Sequence, residues 1–272
     1  MASILSVESN TCTRCGSCAA ACPMAFIRIG AKGPRTVPAA QEACMLCGHC
    51  VAACPAGALS HSRLAEHFAP LDEAWRGDVH GVEQMIKGRR SIRKYQQRQV
   101  DRSVLTAVLE AARYAPTAMN TQPVKWLVVY EAAEVRKLAA ATIDWMRAVV
   151  AEGKLVAGKY DPSPLVMAWD GGVDLILRAC PHVIIAYGRQ DNPMAAGACI
   201  AALTTAELAA IPHGLGTCWA GFLHMAAMLH PPAREAIGLD DGCVMHGALM
   251  IGYPAEQYRR VPPRSPLSLT WR

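Results

Sequence analysis

The feature that most constrains this chain is a cysteine pattern that occurs twice. Cys12, Cys15, Cys18 and Cys22 are followed by Pro23, and Cys44, Cys47, Cys50 and Cys54 are followed by Pro55. Both stretches read C-x2-C-x2-C-x3-C-P, with every cysteine recurring 32 positions later. Three thiolates at this spacing wrap one face of an iron–sulfur cubane, and the fourth, beyond a turn, points away to ligate the other cluster. The spacing therefore gives cluster one Cys12, Cys15, Cys18 and Cys54, and cluster two Cys44, Cys47, Cys50 and Cys22. The trailing proline holds the fourth cysteine extended and offers no amide hydrogen. Structural zinc would need two separated ligand pairs, without a third cysteine three residues on or a Cys-Pro ending.

Eight of the twelve cysteines fall in the first 54 residues of 272. The opening MASILSVESN has no basic segment leading into an apolar one, so no signal peptide is expected and the setting is expected to be cytoplasmic. A reducing compartment favours metal binding over a disulfide framework. A hydrophobic content of 52% excludes a disordered chain. The formal charge is +5. Two oxidised four-iron clusters with their thiolates would each add about −2, leaving about +1, so the charge does not indicate a nucleic-acid partner. The longest apolar stretch, Met194 to Ile211, is interrupted by Gly197, Thr204, Thr205 and Glu207. It reads as a buried Ala-rich helix, and no membrane span is expected.

Residues 1–62 form the expected cluster domain, which resembles bacterial-type two-cluster ferredoxins over about residues 5–60. Its middle, residues 24–43, is longer than in the shortest of these and carries Gly30, Gly33, Pro34 and Pro38, the composition of an extra hairpin. Residues 63–81 lose apolar periodicity and read as a linker. Residues 82–272 alternate helices and strands. Helices are expected over Val82–Lys87, over a stretch capped by Asp101 and closed by Pro116, over Glu134–Val150 and over Met194–Ala210. Strands are expected over Trp126–Tyr130, Val183–Tyr187 and Val244–Ile251. The fold class is α+β, a central sheet covered by helices with a small ferredoxin-like domain in front.

Three stretches of the larger domain carry chemistry. Arg89-Arg90-Ser91-Ile92-Arg93 offers guanidinium forks and a hydroxyl suited to a phosphate, although a solvated basic face has the same composition. Ala115 to Pro123, with Thr117, Ala118, Asn120 and Gln122, is a small polar loop that can present amides to a flat heterocycle; an ordinary turn is the plainer reading. His213 to Phe222 is glycine-rich, but its G-x-G-x4-G spacing follows a helix, so it is not a dinucleotide fingerprint.

Taken in order, RRSIRKY, APTAMNTQP, GLGTCWAG, MIGYP and VPPRSP resemble the nitroreductase family of FMN flavoproteins over about residues 82–272. The resemblance implies that Arg89, Arg90, Ser91 and Arg93 hold the FMN phosphate, ribityl chain and pyrimidine edge. It implies that Thr117, Ala118, Asn120 and Gln122 lie along the isoalloxazine from the second subunit of a homodimer. Ala220 and Gly221 would place a backbone amide near flavin N5, and Arg264 would reach the phosphate. Thr117 stands where many members have Ser, and Ala220 where many have an acidic residue. Cys218 reads as a buried thiol rather than a redox group, and His213 and His224 flank the flavin loop. Residues 145–170, with Trp145, Met146, Met167 and Trp169, form either a lid or core.

The function expected from all this is an oxidoreductase passing electrons from two [4Fe-4S] clusters to FMN and on to a small organic acceptor: a nitro, quinone, enone or halogenated compound. Reduced ferredoxin is the expected donor. The alternative is an electron-transfer module, or a dehydrogenase running in reverse with a protein partner.

Overall fold

The computed structural model describes residues 3–64, 68–72 and 77–272. Parts of the expected 63–81 linker, residues 65–67 and 73–76, lie outside the described residues. The chain divides into two compact units, Met1–Arg76 with Met119–Thr121, and Gly77–Ala118 with Gln122–Arg272.

The first unit runs β1 (Leu5–Val7), α1 (Ser17–Ala20), β2 (Ile27–Gly30), β3 (Gly33–Thr36), α2 (Ala40–Ala43), α3 (His49–Ala52) and β4 (Leu59–His61). The terminal strands β1 and β4 pair antiparallel, with Leu5 opposite His61. The longer middle is the expected hairpin: β2 and β3 pair from Ile27↔Thr36 to Gly30↔Gly33. Leu5, Cys18, Ile27 and Leu59 form its small core.

The cysteine repeat is also a backbone repeat. Arg14 (φ 57) and Leu46 (φ 52) are left-handed, as are Gly16 (φ 85) and Gly48 (φ 72), and Ala25 (φ 51) and Gly57 (φ 61). Each pair is separated by the 32 residues that separate the cysteines. A left-handed residue before each short helix turns the chain sharply enough to keep successive thiols on one side. Non-glycine residues there carry strain.

The second unit continues with α4 (Val79–Gly88), α5 (Arg102–Ala112), β5 (Lys125–Val129), α6 (Ala132–Ala151), α7 (Ser163–Asp170), β6 (His182–Arg189), α8 (Ala195–Ala210), β7 (Gly216–Trp219), α9 (Gly221–Leu229), α10 (Pro231–Ile237) and β8 (Cys243–Gly252). α4 starts three residues before its expected position because Asp78 caps it, accepting from Gly81 N at 2.7 Å. The antiparallel sheet has the order β5-β6-β8-β7. Ser91 adds a parallel bridge to Thr217 at the outer edge of β7.

Both faces of the sheet are buried, alternating along β6 and along Ala248–Ile251 of β8. Val183, Ile185, Ala248 and Met250 join one core with Leu138, Ile143 and Leu223 from α6 and α9. Ile184, Ala186, Leu249 and Ile251 join the other with Val108 of α5 and Leu203 of α8. Burying a side chain such as Ile184 or Ile185 completely contributes about 1.5–3 kcal/mol. Burial on both faces explains why β6 and β8 read as continuous apolar runs.

By length and composition alone, Ala195–His213 could cross a membrane. Here α8 packs against α5 and against β6 and β8. Ala198, Cys199, Ala202, Leu203 and Ala206 are buried along it.

Two glycines set how closely the sheet meets its surroundings. A Cβ at Gly216 would strike the Ile92 side chain, and one at Gly252 would lie 2.6 Å from Pro181 and 3.0 Å from Tyr95. The missing methyl groups let the Arg89–Tyr95 segment and the turn before β6 close on the same end of the sheet.

Candidate functional site

In the first unit the eight cysteines separate into two cavities. Cys12, Cys15, Cys18 and Cys54 line one, with Ile29, Pro34 and Leu59. Cys22, Cys44, Cys47 and Cys50 line the other, with Ile4, Leu5, Phe26 and His61. These are the two sets the spacing assigns, the fourth cysteine of each motif crossing to the other's cavity. The crossing cysteines each accept a backbone hydrogen bond: Phe26 N donates to Cys22 Sγ and Ala58 N to Cys54 Sγ, both at 3.3 Å. Among the described residues, no three His, Cys, Asp or Glu side chains converge on a single-ion position. Four sulfurs spread around an apolar wall suit a cubane, whereas zinc needs a tight tetrahedron.

In the second unit a cavity of about 550 Å³ opens beside Arg89, Arg90, Thr217, Glu207, Tyr253 and Tyr258. That size lies within the range of small-molecule and cofactor sites. Glu207, almost fully buried on α8, is its organising group. It accepts from Trp219 Nε1 at 2.9 Å, Thr217 Oγ1 at 3.1 Å and Arg89 Nη1 at 3.3 Å. A buried carboxylate is stable only with such partners. The Arg90 Nε is buried without a hydrogen-bond partner. A buried, unpartnered guanidinium nitrogen beside a polar cavity fits an anionic ligand.

Ser91 and Arg93 act at Cys218. Burial pushes the Cys218 thiol up; the Arg93 charge, a hydrogen bond from Ser91 and the Arg178 charge pull it back. Burial likewise pushes the Tyr95 hydroxyl far up, with Arg93 and Arg178 again opposing. Ser91, Arg93 and Arg178 therefore share one neighbourhood. A raised thiol makes Cys218 a poor nucleophile.

The polar loop spreads its residues. Thr117 and Gln122 line a second cavity of about 370 Å³ with Leu109, Arg113 and Trp126. Thr117 Oγ1 accepts from Gln122 N at 3.1 Å. Ala118 begins a single 3-10 turn, Ala118–Asn120. Asn120 belongs to the first unit, where its Nδ2 donates to Leu46 O at 3.0 Å and Met45 O at 3.2 Å. Ala220 N is engaged by Ala248 O at 2.9 Å. Gly221 opens α9, and a Cβ there would meet nothing within 4 Å. Arg264 lies in an exposed terminal stretch; every residue from Ala255 to Arg272 is exposed.

The first part of the 145–170 segment is core, with Trp145 and Met146 buried. Beyond them, Tyr160 packs on Phe222 with ring centroids 5.7 Å apart, next to Gly221, and Met167 is exposed. His213 is exposed. His224 is half-buried, and burial pushes its pKa down.

Sequence reasoning missed Glu207 and Arg178. Glu207 was visible only as the lone acid in an Ala-rich helix. Arg178 (φ 59) and Ala179 (φ 47) are consecutive left-handed residues. Asp174 holds that turn by accepting from Ile176 N at 2.8 Å, Leu177 N at 2.9 Å and Ala179 N at 3.0 Å. The only local signal was Asp174 followed by Pro181.

The nitroreductase family matches residues 86–253, and a 4Fe-4S dicluster domain matches residues 11–58. A candidate NADH dehydrogenase/NAD(P)H nitroreductase from Archaeoglobus fulgidus is 28% identical over 173 residues, 64% of this chain and 85% of its own length. A candidate NAD(P)H nitroreductase of Bacillus subtilis, YfhC, is 27% identical over 188 residues, 67% of this chain and 89% of its own. The FMN-bound nitroreductase of Bacteroides fragilis shares the fold with a TM-score of 0.57 at 21% identity, covering 70% of this chain and 98% of that one. The FMN-bound nitroreductase of Desulfitobacterium hafniense does so with a TM-score of 0.54 at 21% identity, over 69% and 96%. With well over half of its length matched, this chain belongs to the nitroreductase family and carries a 4Fe-4S dicluster domain ahead of it.

Proposed function

We propose that this protein is an FMN-dependent iron–sulfur oxidoreductase in which electrons pass from two [4Fe-4S] clusters to FMN and then to a small organic acceptor. One observation carries the reading: a chain with two four-cysteine cavities in one unit has a cationic, cofactor-sized cavity in the other. FMN, when bound, accepts electrons singly or in pairs and so joins one-electron carriers to a two-electron acceptor.

The chain's own residues bind and orient. Arg89 and Arg90, with the Ser91 hydroxyl, take the phosphate and ribityl chain; Glu207 holds Arg89 in place. Arg93 places positive charge at the pyrimidine edge, where it stabilises the anionic reduced form. The Gly221 amide is the donor for N5. Thr117, Ala118, Asn120 and Gln122 serve the flavin of the partner in a homodimer, and Arg264 reaches the phosphate. The exposed terminal stretch supports a dimer, since Leu267 and Trp271 are 83% and 86% exposed in the single chain. The acceptor belongs to the nitro, quinone, enone or halogenated classes, and the setting is cytoplasmic.

Reduced ferredoxin is the proposed donor. Covalent attachment of the cluster domain makes transfer to the flavin intramolecular. A second reading, direct reduction by NAD(P)H, is favoured by the names of the archaeal and Bacillus relatives. Anaerobic stopped-flow reduction of the flavin separates them. Ferredoxin should outpace NADH in the wild type, and Cys44→Ser should slow the ferredoxin reaction while FMN stays bound. Equal, fast reduction by NADH in both proteins, ahead of ferredoxin, would establish the second reading.

A further inference from the structure

The 32-residue repeat breaks at His61, beside the clusters. His61 is buried, at 6% exposure, and lines the cavity of Cys22, Cys44, Cys47 and Cys50. Its Nδ1 accepts a hydrogen bond from Arg63 N at 3.2 Å. With Nδ1 used as an acceptor, the ring hydrogen resides on Nε2. That nitrogen lies 3.7 Å from Cys44 Sγ, within hydrogen-bonding distance for sulfur. The ring thus has one donor, aimed at one thiolate, and an anchor that fixes its orientation.

The other half of the repeat is an internal control. The position 32 residues before His61 is Ile29, which lines the cavity of Cys12, Cys15, Cys18 and Cys54. An isoleucine donates nothing. The backbone donors to the crossing cysteines, by contrast, are matched at 3.3 Å in both halves. The other half has a side-chain contact of its own, Ser17 Oγ 3.3 Å from the exposed Cys15 Sγ; the His61 contact differs in being made by a buried side chain to cluster two.

We propose that His61 is a positioning residue for electrons: it donates to the Cys44 thiolate of cluster two and raises the reduction potential of that cluster. One-electron reduction adds negative charge to the cluster and its sulfurs. A donor to a ligand sulfur stabilises the reduced form more than the oxidised one, and the potential rises. The proposal rests on Cys44 being a ligand of cluster two. It makes two clusters built on one repeat inequivalent, which no motif spacing would reveal.

The test uses the full-length protein, purified anaerobically with both clusters and flavin. Its redox titration with dithionite and mediators is followed by electron paramagnetic resonance. His61→Ile, the residue of the other half, should lower one of the two cluster midpoints and leave the other in place. The expected size is about tenfold in the one-electron equilibrium, about 59 mV. His61→Gln, whose amide can still donate, should fall between. Pulsed ENDOR after exchange into D2O should show one exchangeable proton near the cluster in wild type that His61→Ile lacks. If His61→Ile fails to take up iron, His61→Gln and the wild-type ENDOR signal still decide the matter. Unmoved midpoints in variants holding eight irons, or no side-chain proton in wild type, would overturn the proposal. Wild-type protein containing zinc and no sulfide would instead overturn the cluster reading itself.

Discussion

Trp219 Nε1 donates to Glu207 Oε2 at 2.9 Å, tying the last residue of β7 to the buried carboxylate of α8. The other carboxylate oxygen serves Thr217 and Arg89. One side chain thus connects the sheet edge, the helix behind it and the Arg89 segment. Glu207→Ala should leave three donors without an acceptor and cost about 1.5–3 kcal/mol. Glu207→Gln keeps one carbonyl oxygen and should cost less. Urea unfolding with FMN present and absent measures both; equal stabilities for the two variants would show that the hydrogen bonds do not matter.

Cys22→Ser offers a sharp test of the crossed ligation. Cys22 belongs to the first motif by sequence and to the second cavity by structure. The variant should therefore lose or alter the same cluster as Cys47→Ser, with the other cluster intact near four irons per chain. Electron paramagnetic resonance of each reduced variant reports which signal survives. Matching losses in Cys22→Ser and Cys15→Ser would refute the crossing.

Arg178→Gln probes the residue that shares the neighbourhood of Ser91 and Arg93. Loss of a guanidinium there should weaken FMN binding several-fold and lower the flavin midpoint potential, because reduced flavin is the more anionic form. Arg178→Lys keeps the charge and should retain most of the potential. Fluorescence titration with FMN and spectroelectrochemistry supply the readouts. An unchanged potential in Arg178→Gln would place this charge away from the flavin.

Burial lowers the pKa of His182, His224 and His246. His182 is fixed as a neutral ring, with Nε2 accepting from Val100 N at 2.9 Å and Nδ1 2.6 Å from Tyr130 O. Each of these histidines binds a proton more readily when unfolded. Stability is therefore full above the unfolded value near 6.5 and falls as pH drops through it. The thermal midpoint should decline from pH 7.5 to 5.5; a rise over that interval would contradict the assignment.

The parts legible in the sequence were those written in spacing or long periodicity. The cysteine sets, the β2–β3 hairpin and the buried Ala-rich helix all follow from positions that a reader can count. β7 did not, because Gly-Thr-Cys-Trp is too short to alternate and its pairing to β8 is tertiary. Arg178 did not because its placement depends on a turn that Asp174 closes through three amides. The Arg89–Arg93 cluster was visible, but its division between Glu207 and Cys218 was not, since both lie more than a hundred residues away.

The bare backbone at Gly216 and Gly252 has a mechanical consequence. Here a ligand-facing segment is located by hydrogen atoms where a methyl group would otherwise stand, with Ile92 on one side and Pro181 and Tyr95 on the other. Such a joint tolerates loss of material and fails on addition. Trimming Ile92 to valine leaves the spacing as it is, whereas one carbon added at Gly216 wedges the strand and the arginine segment apart. The tolerance of the site is thus one-sided, like that of a dovetail, and is set by the sheet instead of by the charged groups it carries.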